Sequence, residues 1–140
     1  MEDSSPVSTP MIVGCKLRKY DISPDFDQRT YRSMIGSLLY ITTSRPDIMQ
    51  VVCMVGRFQS SLKQIHLVVV KRVFKYLKGT MNYGLWYPRN HNFQLTSYSD
   101  DDWANCLDER KSTSIGSLFL GDSLVAWLSK KQSFIDLSTT

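Results

Sequence analysis

The sequence of 140 residues predicts an α+β fold: an irregular N-terminal arm, about three helices, then a small antiparallel sheet. Three observations predict it. Pro6, Pro10, Pro24 and clusters of Ser and Asp crowd the opening of the chain, where they disfavour regular structure. Apolar residues then recur at three- and four-residue spacing as far as Leu77, the period of helix faces. From Tyr83 onward the pattern alternates, the period of strands. The order gives an extended arm over 1–28, a helical region over 29–81 and a sheet region over 82–140.

The first helix is predicted to start at Thr30 as cap, with Tyr31, Ile35, Leu38 and Leu39 on one face. Ser44 is a candidate cap for the second, with Pro46 in its first turn and Ile48, Val51, Val52 and Val55 turned inward. The third spans about Leu62 to Leu77. Its apolar stripe is His66, Val69, Val70, Val73, Phe74 and Leu77, and Gly79 suits a C-terminal cap. A histidine on such a stripe reads as structural. An Arg45–Asp47 ion pair at the start of the second helix contributes little if it is exposed.

Tyr83–Tyr87 reads as a short strand and 88–92 as a turn. In the next strand Phe93, Leu95 and Ser97 face one way, while Gln94, Thr96, Tyr98 and Asp100 face the other. Residues 101–112 read as a polar connection. Strands over Thr113–Leu120 and Ser123–Ser129 follow, joined by Gly121 and Asp122, a pair that suits a tight hairpin with glycine first. Trp86, Trp103 and Trp127 read as packing residues, and 134–140 as the start of a further turn or helix.

Hydrophobic residues make up 42% of the chain, enough for a packed core and too many for wholesale disorder. A net charge of +4 and an isoelectric point near 9.0 are compatible with a nucleic-acid partner without requiring one. Cys15, Cys53 and Cys106 are widely spaced, which reads as reduced, at least half-buried thiols rather than a zinc site. The opening MEDSSPVSTP is acidic and polar, unlike a secretory signal, and no apolar run is long enough to span a bilayer. The expectation is a cytoplasmic or nuclear protein with no membrane partner.

Two features carry candidate chemistry. Lys71, Arg72, Lys75 and Lys78 form a cationic strip on the third helix, suited to sequence-independent contacts with the phosphates of a duplex. A solvated helix face is the competing reading. Asp100, Asp101 and Asp102 form an acidic run at the end of a strand. A solvated acidic turn is the competing reading there.

Four segments together resemble the copia-type retrotransposon Pol polyproteins: YRSMIGSLLYITTSRPDI (31–48), HLVVVKRVFKYLKGT (66–80), YSDDDWAN with DERKSTS (98–114), and FLGDSLVAWLSKKQ (119–132). The opening MEDSSPVSTPM also resembles the stretch that follows the polymerase palm in that family. The resemblance implies the end of a reverse transcriptase, with thumb-like helices, followed by the first strands of an incomplete ribonuclease H. In the parent family, acids holding two magnesium ions cleave the RNA strand of an RNA–DNA hybrid.

The family motif Y-S-D-A-D-W falls on Tyr98–Trp103, so the resemblance assigns Asp100 as the first catalytic and metal-binding acid, vestigial here, and Asp102 as a weaker metal ligand. The family's next metal-binding glutamate would follow Thr140. Asp101, Asn105, the Ile115–Gly116 pair and Asp136 depart from the family pattern. The reading is therefore a fragment without catalysis and without tightly bound magnesium. It keeps residual affinity for an RNA–DNA hybrid or duplex. Two alternatives stay open: a piece of an active reverse transcriptase–ribonuclease H polyprotein, and a reused protein-interaction module self-associating through an exposed sheet edge.

Overall fold

A computed structural model describes residues 4–12, 14, 15, 17, 27–89, 94–102 and 113–132, with only the backbone described at 101 and 102. The chain is α+β. In order it forms α1 (Gln28–Ile41), a 3-10 turn (Pro46–Ile48), α2 (Met49–Gly56), α3 (Gln64–Gly79), β1 (Leu95–Asp102), β2 (Thr113–Leu120) and β3 (Ser123–Lys131). It divides into two compact units, Met1–Tyr83 and Gly84–Thr140.

In the first unit the apolar periodicity becomes the core. Tyr31, Ile35 and Leu38 of α1, Val51, Val52 and Val55 of α2, and Val69, Val70 and Val73 of α3 are all buried, together with Ile48, Phe58 and Leu62. Leu39, expected on the same face as Leu38, is 42% exposed, because the core-facing stripe of α1 is narrower than a full apolar face. The Tyr31 hydroxyl donates to the Val55 carbonyl oxygen at 2.8 Å, which satisfies a phenol buried between α1 and α2.

The caps differ from the sequence expectation. Asp27, not Thr30, caps α1: its carboxylate accepts from the backbone N–H groups of Arg29 and Thr30 at 3.2 and 3.1 Å. The Thr30 hydroxyl also donates to this carboxylate, and that bond first, then the two backbone bonds, hold the Asp27 carboxyl below the usual carboxylate range. Ser44 caps nothing downstream, since its hydroxyl turns back to the Ile41 carbonyl. Gly79 is the last residue of α3 rather than a left-handed cap beyond it. A Cβ there would lie 2.9 Å from Pro6 Cβ, so the glycine makes room for the N-terminal arm.

His66 is fully buried, as a structural histidine should be. Its ring stacks on Phe58 with centroids 4.1 Å apart, and Nδ1 accepts from the Lys63 backbone N–H at 3.0 Å, at the start of α3. Cys15 and Cys53 are half-buried free thiols, and burial pushes the Cys53 thiol up. Cys106 lies outside the described residues.

The Arg45–Asp47 pair is no marginal surface bridge. Arg45 is 8% exposed, and its guanidinium donates to both Asp47 carboxylate oxygens, at 3.0 and 2.7 Å. The same guanidinium donates to the Thr80 carbonyl and hydroxyl oxygens, at 3.0 and 2.7 Å. Tyr76 donates from its hydroxyl to Asp47 at 2.8 Å, and the Tyr76 and Tyr83 rings lie 5.7 and 5.8 Å from the guanidinium carbon. Burial alone would raise the Asp47 carboxyl, but the Arg45 and Tyr76 hydrogen bonds outweigh it and hold the group below its ordinary value. This node ties the turn before α2 to the end of α3.

The second unit is a three-stranded antiparallel meander, β1-β2-β3. β1 pairs with β2 from Leu95 opposite Leu120 to Asp102 opposite Thr113. β2 pairs with β3 from Leu120 opposite Ser123 to Thr113 opposite Lys131, with a bulge where Leu118 meets Ala126 and Phe119 meets Leu124. Gly121 opens the connecting turn with φ 60°, a conformation that favours glycine.

Four expectations change in this unit. Tyr83–Tyr87 does not form a strand. Instead the Tyr87 hydroxyl donates to the Leu124 carbonyl at 2.6 Å, and the Trp86 carbonyl accepts from the Ser123 hydroxyl at 3.3 Å. These side-chain bonds hold the segment without a backbone ladder. Trp86, expected to pack, is 81% exposed. β1 continues through Asp101 and Asp102 rather than giving way to a connection at Asp101, because β2 pairs with it that far. Leu95, an apolar residue on the strand face predicted to hold Phe93, is exposed rather than packed, as Tyr98 and Leu128 are. Trp127 is half-buried, while Phe93, Trp103, Asn105, Asp136 and the 134–140 tail lie outside the described residues.

Candidate functional site

The acidic run sits on β1. Asp100 is opposite Ile115 and exposed, and Asp102 is opposite Thr113. Their backbone positions stand about 7 Å apart at strand rise. Among the described residues no group of three or more His, Cys, Asp or Glu side chains is placed to hold a metal ion. Magnesium demands near-octahedral oxygen coordination, so Asp100 and Asp102 do not by themselves form a fitting cage.

The cationic strip lies on α3. Helical spacing puts Lys71, Lys75 and Lys78 along one side of the helix, with Arg72 beside them. Lys71 and Lys78 are exposed, while Arg72 and Lys75 are half-buried. Two of these cations already hold other groups. Arg72 donates from Nε to the Thr9 carbonyl at 3.1 Å and from Nη2 to the Thr9 hydroxyl at 2.8 Å. Lys78 Nζ donates to the Ser4 carbonyl at 3.2 Å. The arm lying on the strip was not visible in the sequence, since the partners are 63 and 74 positions apart. The sequence signal nearest to it is Gly79, which equally suits a helix cap.

No helix among the described residues is long and apolar enough to cross a membrane.

No family model matches the chain, and no solved structure does. Curated proteins do. The retrovirus-related Pol polyprotein from transposon RE1 of Arabidopsis thaliana is 36% identical over 140 residues, which is all of this chain and 10% of the polyprotein. An uncharacterized mitochondrial protein of Arabidopsis thaliana is 33% identical over 141 residues, covering all of this chain and 58% of the relative. The secreted RxLR effector protein 161 of Plasmopara viticola is 40% identical over 112 residues, covering 79% of this chain and 78% of the effector. The chain belongs to the retrotransposon Pol-derived family. It spans a tenth of the RE1 polyprotein and somewhat over half of the mitochondrial relative. The α3 strip and the β1 acids both fall inside the stretch aligned with the RE1 polyprotein, which runs the full length of the chain.

Proposed function

We propose that this chain corresponds to the junction of a copia-type Pol polyprotein where the reverse transcriptase thumb gives way to ribonuclease H. The isolated chain binds duplex nucleic acid, an RNA–DNA hybrid in particular, through Lys71, Arg72, Lys75 and Lys78, and does not cleave it. The observation that carries this reading is the row of cations on one helix of a chain whose full length aligns with a tenth of a transposon Pol. Phosphate contacts of this kind read charge and not sequence, as copying any template requires.

In this reading Asp100 holds the position of the family's first catalytic acid, and Asp102 that of a weaker metal ligand. Two acids along one strand supply too few ligands for the pair of metal ions that hybrid cleavage uses. Magnesium therefore binds weakly, and no hydrolytic step is assigned to these residues.

The test is duplex affinity against salt, measured by fluorescence anisotropy. The logarithm of the affinity should fall with the logarithm of salt at about 0.9 per phosphate contact. Lys71→Gln with Lys75→Gln should lower that slope by about 2 and weaken binding equally for unrelated sequences. A double variant that binds like the parent would remove the helix from the interface.

A further inference from the structure

The N-terminal arm lies on the surface that the proposed function assigns to phosphates. Thr9 meets Arg72, Ser4 meets Lys78, and Pro6 and Val7 fit against Gly79. The chain thus runs antiparallel to the C-terminal half of α3. Val7 and Met11 also pack on the helical core, so apolar contacts seat the same segment that the cations hold.

The bonds matter for what they occupy. Arg72 recognises a phosphate best with two parallel N–H donors, and both Nε and Nη2 are already aimed at the carbonyl and hydroxyl oxygens of Thr9. Lys78 gives a hydrogen to the Ser4 carbonyl. Neutral oxygens of the arm therefore stand where charged phosphate oxygens would bind. A phosphate makes the stronger bond with either cation, but only after the arm has moved.

Resting on the duplex-binding reading, we propose that Ser4–Thr9 is an intramolecular strap over the cationic strip, which a duplex must displace to engage Arg72 and Lys78. With the strap down, Lys71 and Lys75 make the first contacts. With it lifted, the footprint grows by two cations.

Pro6→Cys with Gly79→Cys tests this in the full chain and leaves all four cations intact. The two Cβ positions lie 2.9 Å apart, close enough that a small shift of the arm reaches the spacing of about 3.5–4.5 Å found in disulfides. Oxidation should form this bridge, identified by peptide mass spectrometry. The locked chain should bind a duplex roughly tenfold more weakly than its reduced form at low salt, with a salt slope smaller by about 2. Reductant should restore both values. Equal affinity of the locked and reduced forms, while Lys71→Gln with Lys75→Gln still weakens binding, would overturn the strap and leave the duplex reading standing. Should the bridge not form, a chain lacking residues 1–9 decides: it should bind the duplex more tightly than the parent, and equal affinity would overturn the strap. If neither the lock nor the lysine substitutions change binding, the duplex reading fails and the strap fails with it.

Discussion

Replacing Asp47 with alanine removes the acceptor at the centre of the Arg45 node. Two hydrogen bonds from Arg45 and one from Tyr76 are lost together, and the guanidinium of an arginine side chain 10% exposed is left with the Thr80 carbonyl and hydroxyl oxygens as acceptors. Breaking one side of a buried ion pair costs about 3–5 kcal/mol. The Asp47 side chain is 32% exposed, so water replaces part of what it supplied, and a loss of about 2–3 kcal/mol follows. Tyr76→Phe removes a single charge-assisted bond and should cost about 1–2 kcal/mol. Because both changes act on one carboxylate, the double variant should lose less than the sum of the two. Urea unfolding followed by far-UV circular dichroism reads the helical unit directly.

The same node has a pH signature. The Asp47 carboxyl is held below its ordinary value in the folded state, so its contribution is present above the unfolded carboxyl value and is lost as pH falls through the folded one. The parent chain should therefore lose more stability below about pH 4 than Asp47→Ala does. A loss under about 0.5 kcal/mol at neutral pH, or acid profiles that run parallel, would refute the claim that this pair holds α3 to the turn before α2.

Other residues carry sharp expectations. His66→Ala should destabilise the helical unit by about 3 kcal/mol, because a fully buried ring stacked on Phe58 is removed. His66→Phe should keep the stacking but cost about 1–3 kcal/mol by leaving the Lys63 N–H without its acceptor, so a fully stable His66→Phe chain would count against the observed bond. Tyr31→Phe should cost about 1 kcal/mol through loss of the bond to Val55. Burial pushes the Tyr31 phenol up, so the folded state keeps its proton longer than the unfolded chain. That contribution is present below about pH 10 and fades as pH rises further, so the parent should show an alkaline loss of stability that Tyr31→Phe lacks.

The helical half was legible where its signal was local. Tyr31, Ile35, Val52, Val70 and Val73 follow from spacing alone, because a helix repeats every 3.6 residues wherever it sits. The cap was missed by three positions: Asp27 and Thr30 are both good capping residues, and Thr30 instead gives its N–H to Asp27. Arg45 was undervalued for a different reason. The worth of an ion pair depends on burial, and Arg45 is buried by Tyr76 and Thr80, more than thirty residues away in sequence. Tyr83–Tyr87 has the alternation of a strand, but its bonds run from the Tyr87 hydroxyl and the Trp86 carbonyl to Leu124 and Ser123 at the start of β3, which periodicity does not encode.

The candidate site divides in the same way. The cations of α3 stand out in the sequence as a run at helical spacing, whereas the arm that holds Arg72 and Lys78 requires the tertiary fold. Asp100 entered through a family motif. No physical signal in 98–102 separates it from a solvated acidic strand end, and its exposed position opposite Ile115 agrees with either description.

One incubation bears most directly on the central claim: the purified chain with an end-labelled RNA–DNA hybrid and magnesium, resolved on native and denaturing gels in parallel. The expected result is a retarded hybrid whose RNA strand stays full length, with the retardation disappearing as salt is raised. A shortened RNA strand, lost again on Asp100→Asn, would contradict the account, because it would mean that the β1 acids do the chemistry denied to them here.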